Sequence, residues 1–131
     1  MSWLVAGTKN EGSYRSNPHM ALSKLERLRK TRDIERVFRR SQRIDTELIT
    51  LRMHKKSNLP GRLAIVISKA VAKKAVQRTL LRRRISEWMR KAHIGLYAAD
   101  FVISVKPHAA EVTKKMLYQD LAGVLHSLQY R

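Results

Sequence analysis

The stretch Ala72–Lys91, AKKAVQRTLLRRRISEWMRK, decides how the rest of the chain is read. It is too long for a strand and holds neither Gly nor Pro, so it predicts a helix. Leu81, Ile85, Trp88 and Ala92 recur at i, i+4, i+7 and i+11 with Met89 beside them, giving one apolar stripe that requires a core. Lys73, Arg83, Arg84, Arg90 and Lys91 project from the rest of the cylinder, and Arg78 and Arg82 border the stripe. Glu87 is the one acid set against them. A solvated face normally mixes signs. Like charges at i, i+4 repel by a few tenths of a kcal/mol per pair. A face this uniformly positive predicts an anionic partner.

The whole chain agrees with its helix. With 28 Lys and Arg against 10 Asp and Glu, the net charge is +18 over 131 residues. That field points to nucleic acid first and an anionic membrane surface second. The length suits one domain with one core, and 44% hydrophobic residues argue against wholesale disorder. No apolar run approaches the ~20 residues that a membrane-spanning helix needs. The absence of cysteine removes disulfides and thiolate zinc sites and suits a reducing cytoplasm. Residues 1–20 are rich in Gly, Ser and Asn and lack a secretory pattern. They read as a flexible tail, for part of which a cloning leader is one source, ahead of a single domain over 21–131.

Working outward from the helix, Leu63–Ser68 (LAIVIS) is a short apolar run, expected as a buried strand. Leu48–His54 (LITLRMH) is rich in β-formers, and Asn58-Leu59-Pro60-Gly61 between the two is a turn signal, so together they predict a hairpin with a longer loop. Leu22–Arg40 has a helical pattern, with Ile34, Val37 and Phe38 at i, i+3, i+4 and Asp33 suited to the first turn. An extra short strand is expected near Gln42–Asp45. Downstream, His93–Ala99 reads as a loop. Phe101–Lys106 (FVISVK) is a strand closed by Pro107. Glu111–Gln129 is a last helix with Val112, Met116, Leu121, Val124, Leu125 and Leu128 as its apolar positions. The order α-β-β-(β)-α-β-α predicts an α+β sandwich, with helices packed on a mixed four-stranded sheet.

No catalytic constellation emerges: GxSxG, HExxH and the P-loop run are absent. The ten acids form no DxD or ExE pair, and the five histidines show no HxxxH or HxH spacing, so neither a catalytic residue nor a metal site is assigned. Phosphate binding needs cations, which are plentiful; base recognition needs fixed donors or stacking surfaces, which are few. Trp88 and Phe101 lie on apolar stripes and are expected in the core. Phe38 is open to either role.

Four segments in order, Leu28–Phe38, Val66–Val76, Arg78–Arg83 and Asp100–Pro107, together resemble the protein subunit of bacterial ribonuclease P. Leu28-Arg29-Lys30-Thr31-Arg32-Asp33-Ile34-Glu35-Arg36-Val37-Phe38 is similar to the family's basic run followed by Asp-Phe, a hydrophobe and a second Phe. Val66-Ile67-Ser68-Lys69-Ala70-Val71-Ala72-Lys73-Lys74-Ala75-Val76 resembles its strand and Ser-Lys-Lys signature. The Arg-Asn-Arg box falls on Arg78-Thr79-Leu80, followed by Leu81-Arg82-Arg83. Asp100–Pro107 looks like the family's Asp-hydrophobic strand with its basic residue and Pro. The likeness runs from about Leu25 to Leu128. It departs at Thr79 and Leu80, in place of Asn and Arg, and at Ile34, in place of Phe. By the helical period Leu80 lies on the basic side, where an apolar residue gains nothing from the core.

The resemblance implies a left-handed β-α-β crossover around the basic helix, an exception to the usual hand. It implies a holoenzyme, one protein per RNA, in which the catalytic RNA hydrolyses precursor tRNA with RNA-bound Mg2+, and this chain assists 5′ maturation. The RNA-binding group so implied is Lys69, Lys73, Lys74, Arg78, Thr79, Arg82 and Arg83. The 5′ leader cleft, between the first helix and the sheet, is implied at Ile34, Phe38, Ile49, Arg52 and Ser68. A ribosomal or RNA-chaperone-type protein, or a diverged paralogue with another RNA target, would share the charge without the dependence on a leader.

Overall fold

The computed structural model describes residues 26–129; the expected tail, and the start of the predicted first helix, lie outside the described residues. Among the described residues, three α-helices and four strands run in the order α1 (Thr31–Arg39), β1 (Gln42–Asp45), β2 (Ile49–Lys55), β3 (Arg62–Val66), α2 (Ala75–Lys91), β4 (Ala99–Val105) and α3 (Lys114–Gln129). Short 3-10 turns at Ile94–Leu96 and Pro107–Ala110 flank β4. This is the expected α+β order, with the extra strand at Gln42–Asp45 present.

The sheet order is β1-β2-β4-β3. β4 pairs antiparallel with β2 and parallel with β3, so the predicted β2–β3 hairpin does not exist. The reason lies in composition. The β4 segment ADFVISV is buried along nearly its whole length, and an apolar strand covered on both faces takes the sheet interior. Residues 56–61 therefore carry the chain past β4 instead of turning tightly. Gly61 is what lets them pass: its N–H donates to the Gly95 carbonyl at 2.9 Å, and a Cβ there would lie 2.0 Å from the Ile94 carbonyl oxygen.

Period-2 alternation divides the sheet into two faces. Ile49, Leu51, Met53, Leu63, Phe101, Ile103 and Val105 point to one side, where they pack with Leu81, Ile85 and Met89 of α2 and Leu117, Leu121, Val124 and Leu125 of α3. On the other side Val102 meets Leu28 and Val37, with Ile34 and Ala64 partly buried around them. Phe101 is in the core as expected, whereas Trp88 only packs partly buried against it, because the buried α2 stripe runs Leu81–Ile85–Met89.

Several boundaries differ from expectation: β3 ends at Val66, and β4 begins at Ala99, within the expected loop. Residues 27–28 are extended, not helical: Arg27 bridges Leu63 and the Leu28 N–H donates to the Leu63 carbonyl at 2.9 Å, extending the sheet past β3. The last helix starts at Lys114 because the Thr113 hydroxyl accepts from the Met116 N–H (3.2 Å), as an N-cap does. This phase leaves Met116 half exposed and puts Leu117 in the core. The basic helix begins at Ala75, three residues later than its pattern suggests.

Candidate nucleic-acid interface

Two cation-bearing surfaces lie on opposite sides of the sheet. The first is made by α2 and the loop before it. Val71 and Ala72 are buried and tether this loop, and a turn closes it through Val71 N–H to the Ser68 carbonyl (3.1 Å). Lys69, Lys73, Lys74, Thr79, Arg82 and Arg83 are all exposed. Among the described residues, no carboxylate pairs with any of these cations; the helix's ion pair is Lys91–Glu87, at its C-terminal end. Leu80 is 45% exposed on this surface, where the helical period puts it, and Val76, one turn earlier, is 72% exposed. Arg78 differs from its neighbours. It is half-buried, and its Nη1 donates to two carbonyl oxygens, of Ala72 and Lys73, each at 2.8 Å.

The second surface is the open part of the other face, beside α1. Phe38 is 44% exposed, and the Arg52 guanidinium carbon sits 4.5 Å above its ring centroid, within cation–π range. Arg52 also donates to the Ser104 hydroxyl at 3.5 Å. Ser104 stands beside Val66 on β3, which is 43% exposed. Aromatic ring, guanidinium, hydroxyl and an exposed apolar side chain thus lie in one neighbourhood of this face, a combination suited to a nucleotide base and its phosphate.

Of the residues expected here, Phe38 and Arg52 come together, Ile34 lies partly buried on the sheet-facing side of α1, and Ser68 is exposed in the loop beyond β3. Ile49 does not belong. It is fully buried on the opposite face against the α2 and α3 side chains, and no ligand reaches it. Alternation from Arg52 assigns Thr50 to its side of the sheet. The same count along β3 and β4 would have found Val66 and Ser104.

Charge pairs hold α1 over this face. Asp100, 2% exposed, accepts from Arg62 Nε (2.9 Å) and Nη2 (2.8 Å) and from Lys56 Nζ (2.8 Å). Arg62 Nη1 reaches Asp33, in the first turn of α1, at 3.4 Å. At the other end of α1, His54 donates its Nδ1–H to the Arg40 carbonyl (2.7 Å). Burial by itself would raise the Asp100 pKa; the bonds from Arg62 and Lys56 outweigh it and hold the carboxyl below the ordinary carboxylate value. Asp100 in turn raises Arg62.

Fold and surfaces define a basic α+β protein with a cluster of exposed, unpaired cations on one helix and its preceding loop, and an exposed aromatic–guanidinium patch on the opposite face of the sheet. The family model for ribonuclease P matches residues 22–129. The ribonuclease P protein component of Rippkaea orientalis is 34% identical over 112 residues, covering 81% of this chain and 88% of its own. That of Ureaplasma parvum is 38% identical over 80 residues, covering 61% and 71%. Among solved structures, the RNase P protein of Thermotoga maritima superposes with a TM-score of 0.67 at 25% identity, covering 76% of this chain and 94% of its own. That of Staphylococcus aureus gives 0.73 at 21% identity, covering 80% and 96%, a likeness of fold. The chain belongs to the family of ribonuclease P protein components.

Proposed function

We propose that this chain binds the catalytic RNA of ribonuclease P through the loop lysines Lys69, Lys73 and Lys74 and the α2 residues Thr79, Arg82 and Arg83, with Arg78 behind them. The patch at Phe38 and Arg52, with Ile34 and Ser68 at its margins, takes the 5′ leader of precursor tRNA. The RNA performs the hydrolysis in the cytoplasm, one protein to each RNA. Mg2+ is carried by that RNA: Asp33, Asp45 and Asp100 are each engaged by cations of this chain.

The observation that carries this reading is the acid-free set of exposed cations on α2 and its loop, in a chain of this family. Cations aimed at phosphate give affinity that falls steeply with salt; about six contacts would make log K fall with log salt at a slope near −5. The test is to add the purified full-length protein to a bacterial ribonuclease P RNA at low Mg2+ and follow cleavage of a precursor tRNA. Restored cleavage, with tighter binding of substrates that carry a leader, is expected. Salt-insensitive binding with no rescue would sink the proposal.

A further inference from the structure

From its two short hydrogen bonds we infer that Arg78 is a positioning residue, which fixes the loop preceding α2 so that Lys73 and Lys74 face the RNA. The inference deepens the proposed function and rests on it for the identity of the partner. A guanidinium has five N–H groups. Here both donors of Nη1 are taken, by the carbonyls of Ala72 and Lys73 at 2.8 Å each. These residues lie just ahead of the helix, whose N-cap, Lys74, has no side-chain cap. The Arg78 and Gln77 N–H groups both donate to the Lys74 carbonyl, at 3.2 and 3.1 Å, so backbone and side chain of one turn converge on this segment.

The geometry has a direct consequence for the lysines. With Val71 and Ala72 buried and the Ala72 and Lys73 carbonyls drawn to Arg78, the segment has one orientation, and the exposed Lys73 and Lys74 side chains leave from its outer side. A free loop with these cations would have to be ordered when RNA binds, and that ordering would weaken the complex. Arg78 does the ordering beforehand. Arg82, one turn on and exposed, remains free, as Arg83 does, to grip phosphate with its planar fork.

The test uses Arg78→Met, which keeps the aliphatic stem and removes the donors, with Arg78→Lys beside it, and thermal melts to show that both fold. In the free protein, amide hydrogen exchange across residues 70–76 should accelerate at least tenfold in Arg78→Met while β2 and β4 exchange as in the parent. Unchanged exchange there would overturn the inference, whatever happens with RNA. With a bacterial ribonuclease P RNA, the salt slope should fall by about 2–3, because the lysines lose their placing along with Arg78; removing a single cation that only touches one phosphate would lower it by about 0.9. Adding Lys73→Gln and Lys74→Gln should then weaken Arg78→Met little further, although they weaken the parent. Full additivity would make Arg78 an independent phosphate ligand. In Arg78→Lys, recovery of affinity should follow recovery of loop protection; affinity regained without protection would refute positioning. If the parent itself binds RNA without salt dependence, the proposed function fails, and the exchange result still decides the role of Arg78.

Discussion

The two faces of the sheet hold their helices by different means. Under α2 and α3 the contact is mainly apolar, with Ile49, Ile85, Phe101 and Ile103 all fully buried, and the Thr46 hydroxyl donating to Asp120 of α3 (2.6 Å) at its edge. Under α1 it shrinks to Leu28, Val37 and Val102, with Ile34 and Ala64 at the margin. Burial at roughly 25 cal/mol per Å2 holds the first pair of helices in place. It gives little for the second, and there Asp100, Arg62, Lys56 and Asp33 take over. A thin apolar contact leaves room beside α1 for an exposed ring and guanidinium. The economy of core on that side is what leaves sheet surface open beside α1, and ion pairs give the orientation that packing does not.

The largest effect that would break this comparison belongs to the thick face. Phe101→Ala empties a site with no solvent access, and about 3–5 kcal/mol of stability should be lost, measured by urea unfolding. A loss below about 1 kcal/mol would mean that this face is not the main core.

Next comes Asp100→Asn. Removing one partner of a buried ion pair costs about 3–5 kcal/mol; Arg62 and Lys56 keep some access to water here, so about 2–3 kcal/mol is expected. The pH dependence gives the sharper check. Because the folded carboxyl titrates below its ordinary value, its contribution is present in full above the unfolded pKa of about 4. It is lost as pH falls through that value toward the folded one. The gap between parent and Asp100→Asn should therefore be wide at pH 6 and narrow below pH ~4. A gap independent of pH would assign the loss to packing.

Phe38→Ala sharpens the contrast by separating binding from stability. With the ring 44% exposed and its Arg52 contact at the surface, stability should change by no more than about 1 kcal/mol. Affinity for a precursor tRNA with a leader should drop by about 1–3 kcal/mol if a base stacks there, while a substrate without a leader should be unaffected. Equal losses with both substrates would place the leader elsewhere.

The sequence is most informative where its periodicity is strong and local. The stripe of α2 and the apolar β4 segment announce a helix and a strand, and the helical period puts Arg83 and Leu80 on the basic side, where they lie exposed. What stays hidden depends on partners distant in the chain. That β4 parts β2 from β3 follows from how three strands compete for the sheet interior, which no single segment encodes. The misplacement of Ile49 is avoidable: Arg52 and Ile49 are three apart, and an odd separation puts them on opposite faces. The carbonyl contacts of Arg78 cannot be foreseen, because they require knowing where the loop before α2 turns.

The smallest effect concerns Leu80→Arg, on the other side of the molecule from Phe38. Leu80 is 45% exposed and Val76, four residues earlier, is 72% exposed, so nothing in the core depends on the leucine. An arginine there would stand at i+3 and i+4 from Arg83 and Arg84, and the added repulsion should cost only a few tenths of a kcal/mol. Stability should thus stay within about 0.5 kcal/mol of the parent. Binding is where the substitution can speak. If the exposed side of α2 lies along a phosphate backbone, one more cation engages about one more phosphate and steepens the salt slope by about 0.9, with tighter binding at low salt. If Leu80 instead meets an apolar part of the RNA surface, such as a sugar or a base face, the arginine gains nothing in slope and affinity falls. Salt titrations of Leu80→Arg and of Phe38→Ala with the same RNA and substrate then report on the two faces separately. A steeper slope in the first and an unchanged slope in the second would make one face a surface for phosphate and the other for bases.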